Sequence, residues 1–323
     1  MLIFYPFLPS QTAASPSAIQ QSREGEIPVT VVTGDELPDV EKTFRCGQCF
    51  RFEKVENSHH ACEYAGVAYG RAFSVARDGT RLFLYNITAD AFSSTYRRYL
   101  GMEEDYPSIW RSFADRTDLP YLQKAADVSR GLYLLRQDPW ETLCSFILSQ
   151  NNNIPRIKKI IAALCHTLGD PIDARGMEAH GFPSGVAYTF PSACRMASAG
   201  AKALEPLRAG FRAGYLYDAA CKVAESPDLF FSLAEAPMEQ ADACLRTIRG
   251  VGAKVSACTL LFGFGFYNAF PIDVWIARVL KNHFPPSFQP SSLGPYAGLA
   301  QQYLFYAARF APTTAEETPS SDS

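Results

Sequence analysis

The spacing of apolar residues changes once along this chain, and that change limits the folds open to it. From about Pro28 to Ile87, apolar side chains alternate with polar ones or run in short β-branched blocks: PVTVVTG, FRFEKV, CEYAGVAYGRAFSVA and RLFLYNI. A period of two places every second side chain on one face, as in a strand. Asp78-Gly79, between the last two blocks, predicts a tight hairpin turn, because glycine tolerates positive φ. From Ala89 onward the spacing becomes helical, in AFSSTYRRYLG, YPSIWRSFAD and YLQKAADVSRGL. Strands followed by helices, without βαβ alternation, predict an α+β fold that is mostly α. Four segments are expected: an irregular N-terminus over 1–27, an antiparallel-sheet α+β domain over 28–130, an all-α region over 131–310 and a disordered tail over 311–323.

The chain has 323 residues, 47% hydrophobic and 20% charged, which is globular composition with room for two or three subdomains. A net charge of −3 excludes a molecule that is basic overall, so binding a polyanion would need local positive charge. Residues 151–222 carry nine Lys/Arg against five Asp/Glu, a mild tilt in that direction. The apolar opening MLIFYPFLPS lacks a basic leader segment, and no run approaches the roughly 20 apolar residues of a membrane span. With nine cysteines, an odd number, these features predict an intracellular protein with reduced thiols, in the cytoplasm or nucleoid, or the nucleus of a eukaryote. Cys46-Gly47-Gln48-Cys49 has the spacing of a redox pair or half a zinc site, but no second pair completes such a site.

Within the helical region, Asp138-Pro139 reads as a helix start, a capping carboxylate followed by a first-turn proline. Three asparagines end that helix, and Pro155 opens another with Ile157, Ile160, Ile161 and Leu164 on one face. The most informative stretch is 238–284. MEQADACLRTI and AKVSACTLLFGF are amphipathic, and Gly250-Val251-Gly252 joins them in a helix–hairpin–helix. Such glycines let the backbone approach a phosphate, with the N–H groups of the second helix pointing at it. An ordinary αα-hairpin with turning glycines is the alternative reading. Lys254 lies in the first turn of the second helix, at the positive end of its dipole, and an uncharged amine there is a nucleophile. Asp273, in FPIDVW, precedes the apolar run IARVLKNHF and reads as an N-cap. Capping would also fix the carboxylate for a catalytic part.

GVGAKVSAC followed by FPIDVW closely resembles the signature of the helix–hairpin–helix DNA glycosylase superfamily, with its Gly/Pro-rich loop and aspartate. The lysine resembles that of the bifunctional members, which work through an imine. Three further segments narrow the resemblance to the 8-oxoguanine DNA glycosylase family: CGQCFRF at Cys46–Phe52, LLRQDP with NNNI, and GPYAG with Ala300-Gln301. The resemblance spans roughly Pro28 to Phe310.

It implies two helical subdomains with the active-site cleft between them, Lys254 as nucleophile and Asp273 as its carboxylate partner. It implies that the Gly47 carbonyl accepts the N7–H that 8-oxoguanine has and guanine lacks. The flipped base would lie between Cys258 and Phe305, with Gln301 reading its Watson–Crick edge. Asn151, Arg156 and Arg212 would hold the orphaned cytosine, and Phe211 would wedge the opened stack. Gly250 and Gly252 would approach the DNA backbone, and Trp275, where some members carry histidine, would line the phosphate or base pocket. Lys158 and Lys159 also fit phosphate contact. The carbonyls of Arg246, Ile248 and Val251 match a hairpin site for a monovalent or alkaline-earth cation. No cysteine follows Cys258, so an iron–sulfur cluster is not expected and no cofactor is required. Phe52 stands where tryptophan is frequent, and Ser256-Ala257 also departs from the usual pair.

The expected partner is duplex DNA with a damaged purine opposite cytosine, bound by a monomer, with no membrane. The expected activity is base excision of 8-oxoguanine with β-elimination at the resulting abasic site. A glycosylase for another damaged base and a non-catalytic damage-binding protein are the alternatives.

Overall fold

The computed structural model describes residues 18–310. The expectations for 1–17 and for the tail over 311–323 lie outside the described residues. The expectation of irregular chain up to residue 27 does not hold for its last part. Ala18–Glu24 forms a strand, β1, antiparallel to β2 (Ile27–Thr33) across Gly25-Glu26, with Gly25 at φ +59°. Its sequence AIQQSRE is exposed along its whole length, so it carries no alternation and forms only by pairing with β2.

The other strands are β3 (Phe52–Lys54), β4 (Glu63–Ala68), β5 (Arg71–Asp78) and β6 (Arg81–Tyr85). They complete a six-stranded antiparallel sheet in the order β1-β2-β6-β5-β4-β3. The block CEYAGVAYGRAFSVA divides at Tyr69-Gly70, both at positive φ, into the β4–β5 hairpin. The hairpin from β5 into β6 forms as expected, with its turn one residue later than Asp78-Gly79: Asp78 pairs with Arg81, and Gly79-Thr80 makes the turn with Gly79 at φ +55°. A short helix, Val40–Arg45, interrupts the strand block. Its signal was Asp39, whose carboxylate accepts from the Lys42 N–H at 2.9 Å.

Beyond Thr88 the regular elements are helical, apart from one small hairpin of Pro171–Asp173 and Val186–Tyr188. No helix of the described residues is long and apolar enough to cross a membrane. One face of the sheet packs into a continuous apolar core that runs from Phe52 and Phe73 through Tyr99 and Leu143 to Leu261 and Leu304. The core does not break at residue 130, because the final helix, Ala297–Phe310, returns to pack on Pro120–Val128.

The opposite face of the sheet is also apolar. Val29, Val67 and Tyr85 are covered by Ala174, Met177 and Ala187 from the small hairpin and its connection. A buried histidine pins that cover in place. The His180 ring stacks on Tyr85 at 3.9 Å, and Nδ1 lies 2.7 Å from Glu63 Oε1. Glu63 also accepts from the Ser58 and Ser74 hydroxyls. Burial works to lower the His180 pKa, but Glu63 and Glu24 outweigh it and leave the value raised. Burial works to raise Glu63, and the hydrogen bonds from His180, Ser58 and Ser74 leave it lowered.

The histidine contribution is full below its ordinary value of 6.5 and is lost as pH rises through the higher folded value. The glutamate contribution is full above 4.5 and is lost as pH falls through the lower folded value. Wild type should therefore exceed a Glu63→Gln/His180→Gln double variant in thermal midpoint most between pH 4.5 and 6.5. The excess should be on the order of a few degrees and shrink on both sides of that window. A gap independent of pH in thermal melts would contradict the charged pair.

Candidate active site

The helix–hairpin–helix forms as the sequence predicts, from Met238–Leu245 and Ala253–Cys258. Gly250 sits at φ +83°, and a Cβ there would lie 2.2 Å from the Tyr215 ring, so both conformation and space require glycine. At Gly252 a Cβ would meet nothing within 4 Å, which leaves that side of the turn open. The second helix continues as a wider π-helical turn over Thr259–Phe264. Gly263 in that turn lets it close on the Pro139–Leu148 helix, where a Cβ would come within 2.9 Å of Pro139 Cα.

This packing sets Lys254 against the end of the Pro139–Leu148 helix. Its Nζ donates to Ser149 Oγ at 2.9 Å and lies 4.8 Å from the centre of the Phe146 ring. Asp273 caps the helix Val274–His283, and its Oδ1 accepts the N–H groups of Trp275 and Ile276 at 3.0 and 2.9 Å. Both bonds fall on one oxygen, so the second oxygen has no part in the cap. Lys254 and Asp273 line one cleft of about 730 Å³, although the lysine's hydrogen bond goes to Ser149 and not to Asp273.

The four expected base-pocket residues line the same cleft. Gly47 takes φ +77°, and a Cβ there would stand 3.6 Å from Phe305 Cε1. Cys258 is buried, and burial pushes its thiol up to about 11 despite the nearby Lys254 charge, so at neutral pH it offers an apolar wall. Gln301 is buried at 4% exposure, and its Oε1 has no hydrogen-bond partner among the described residues. A buried acceptor without a donor is costly, and a ligand N–H in the cleft would satisfy it. Arg309 lies 5.5 Å from the Phe305 ring centre.

The residues expected to face the opposite strand divide. Asn151 lines the cleft at φ +46°, and Arg156 is exposed, with one donor on the Arg208 carbonyl at 3.2 Å. Arg212 departs from the expectation of a side chain that reaches out to an orphaned base. It is 4% exposed and donates to the carbonyls of Gln150, Asn151 and Ala209 at 2.6, 2.7 and 3.2 Å, which ties the Asn151 loop down. Phe211 is 52% exposed, with the Arg212 guanidinium 4.5 Å from its ring centre, so this apolar ring stands clear of the core. Ile272, Val274 and Trp275 are exposed beside Asp273, and Arg278 and Arg309 flank the Trp275 ring at 5.7 and 5.6 Å. Lys158 is not available for phosphate contact here: its Nζ donates to the Phe52 carbonyl and Glu53 at 2.6 and 2.8 Å.

Arg246, Ile248 and Val251 meet in the hairpin turn. The Ile248 carbonyl already accepts from the Val251 N–H at 3.0 Å, and the Lys222 ammonium donates to the neighbouring Thr247 carbonyl. Cys46 and Cys49 are buried free thiols, with burial pushing Cys46 up to about 11. Among the described residues no group of three His, Cys, Asp or Glu is placed to hold a metal ion. A second cavity, about 410 Å³, lies by the start of the Pro139–Leu148 helix, but its charged groups are engaged with the protein: Arg51 with Glu141, and Arg136 with the Phe264 carbonyl.

Residue spacing did not point to Ser149 or Phe146 as neighbours of Lys254, nor to Gln137 and Gln302 as neighbours of the Gly47 segment. All four contacts join segments that are far apart in sequence, so no local pattern carries them.

A family model described as the 8-oxoguanine DNA glycosylase N-terminal domain matches residues 31–143. The N-glycosylase/DNA lyase OGG1 of Arabidopsis thaliana is 29% identical over 293 residues, covering 82% of this chain and 76% of the relative. The solved structure of MBOgg1 in complex with a low-affinity DNA ligand is 35% identical, with a TM-score of 0.80 over 90% of this chain and 98% of that one. The Clostridium acetobutylicum 8-oxoguanine glycosylase/lyase, solved with double-stranded DNA containing cytosine opposite 8-oxoguanine, is 30% identical. Its TM-score is 0.79, over 90% of this chain and 97% of that one. With the fold and chain length shared almost throughout, the chain belongs to the 8-oxoguanine DNA glycosylase family.

Proposed function

We propose that this chain excises 8-oxoguanine from duplex DNA and then cleaves the strand at the abasic site, with Lys254 as nucleophile. The observation that carries the reading is one cleft holding a lysine, a helix-capping carboxylate and a buried glutamine oxygen without a donor. The Lys254 Nζ attacks C1′ as the bond from C1′ to the base breaks and its electron pair leaves with the base. The Asp273 carboxylate stabilises the positive charge that grows on the sugar. Opening of the sugar gives a Schiff base to Lys254. Loss of a 2′ proton then allows the 3′ phosphate to leave by β-elimination.

The Gly47 carbonyl accepts N7–H, Gln301 reads the Watson–Crick edge, and the base stacks between Cys258 and Phe305. Asn151 and Arg156 serve the opposite cytosine, with Arg212 holding their loop, and Phe211 fills the gap left in the stack. The open side of Gly252 and the N–H groups behind it meet a phosphate.

The test is borohydride trapping on duplexes that carry 8-oxoguanine, guanine, an alkylated purine or an oxidised pyrimidine, each opposite cytosine. The 8-oxoguanine duplex should give the fastest covalent adduct. Faster trapping on another lesion would transfer the specificity, and no adduct on any duplex would leave only a binding protein.

A further inference from the structure

The carbonyls on either side of Gly47 are both held by buried glutamine amides. Gln302 Nε2 donates to the Cys46 carbonyl at 2.8 Å, and Gln137 Nε2 donates to the Gln48 carbonyl at 2.6 Å. Gln48 itself is fixed through its side chain, which donates to the carbonyls of Thr43 and Tyr133, both at 2.8 Å, and accepts from the Leu135 N–H at 2.9 Å. The three glutamines are 0%, 9% and 3% exposed for Gln48, Gln137 and Gln302. Long polar side chains are rarely buried so fully unless their hydrogen bonds are all useful.

Between these two held carbonyls lies the peptide that joins Gly47 to Gln48. Glycine at φ +77° is the one place in the segment where backbone rotation is cheap. If that peptide plane turned over, the cleft would meet the Gln48 N–H in place of the Gly47 carbonyl. An N–H donor there would suit the bare N7 of guanine and oppose the N7–H of 8-oxoguanine, so the turn would invert the preference. Gln302 also follows Gln301 directly in the final helix, so one rigid element sets the base-edge reader and the grip on the Gly47 segment together.

We propose that Gln302 and Gln137 are positioning residues for lesion discrimination: by holding the Cys46 and Gln48 carbonyls they lock the intervening peptide with its carbonyl, not its N–H, toward the base. This rests on the reading that the Gly47 carbonyl accepts N7–H. The lock acts on base choice alone. Strand cleavage at a preformed abasic site needs Lys254 and Asp273 but no base contact.

The experiment compares wild type with Gln302→Met and Gln137→Met, which keep side-chain length and remove the amide donors. The expected result is a fall of about tenfold or more in the ratio of excision of 8-oxoguanine to guanine, by loss of one discriminating hydrogen bond. Abasic-site cleavage should stay within about twofold of wild type, since the chemistry is untouched. Equal losses in excision and abasic-site cleavage, or an unchanged ratio, would overturn the proposal. Failure of both variants to fold would overturn it too, since the glutamines would then serve stability alone. Wild type tested on 7-deaza-8-oxoguanine, which lacks the N7–H, separates the two levels. Excision as fast as that of 8-oxoguanine would remove the Gly47 reading itself, whatever the variants do.

Discussion

Lys254→Gln should give no borohydride-trapped adduct with an 8-oxoguanine duplex and should lower single-turnover excision on the order of 10⁴-fold or more, the scale seen when a covalent nucleophile is removed. The substitution is chosen to keep everything else. A glutamine amide can still donate toward Ser149 Oγ, which accepts the lysine at 2.9 Å in wild type. The site is partly buried beside Phe146, and glutamine places a polar group of similar reach there without leaving the Ser149 oxygen stranded. Thermal midpoint and affinity for the lesion duplex should therefore remain close to those of wild type. A persistent adduct would mean that another amine is the nucleophile. Loss of folding would mean that the lysine's contacts with Ser149 and Phe146 are chiefly structural.

Asp273→Asn should lower excision about 10²- to 10³-fold, the effect of removing one preorganised electrostatic partner from a transition state. Binding to the lesion duplex should persist. Asparagine is as good an N-cap as aspartate, so the two hydrogen bonds to Trp275 and Ile276 at 3.0 and 2.9 Å can be remade by its side-chain oxygen. What is lost is the charge. Asp273→Ala separates the two parts, since it removes charge and cap together and should cost about 1 kcal/mol of stability as well. Denaturant melts run beside single-turnover assays would show this. An Asn variant with wild-type rates would reduce Asp273 to a cap.

Much of the architecture is readable along the chain because it is decided within a few residues. Asp138 caps its helix through Glu141, Asn153 caps the next through Arg156, and Asp273 caps the helix after the hairpin. Each is a short polar side chain placed three residues before the N–H that it accepts. The glycine turn at 250–252 and the strand period of 52–85 are equally local. Gly47, Cys258, Gln301 and Phe305 were singled out only through resemblance to a family: Gln301 and Phe305 share one helix face, but no spacing rule links them to Cys258 or to Gly47.

Other features required the folded chain. Nothing in AIQQSRE says that it will add an edge strand, and nothing in 171–188 says that it will cover the second face of the sheet. The first follows from the hydrogen-bonding edge that the adjacent β2 leaves open, the second from apolar surface that a distant segment leaves to be covered. Arg212, expected from the resemblance to hold an orphaned cytosine, is buried around the Gln150 and Asn151 carbonyls.

The sequence by itself therefore determined the fold class, the helix–hairpin–helix and the helix-start positions of Lys254 and Asp273, because periodicity, caps and turns depend on neighbours in the chain. Tertiary structure alone decided what holds Lys254 and the carbonyls of Cys46 and Gln48 that flank Gly47. The bond from Lys254 to Ser149 spans 105 residues, and that from Gln302 to Cys46 spans 256. Contacts of that range exist only after packing has excluded water and left buried polar groups to find one another.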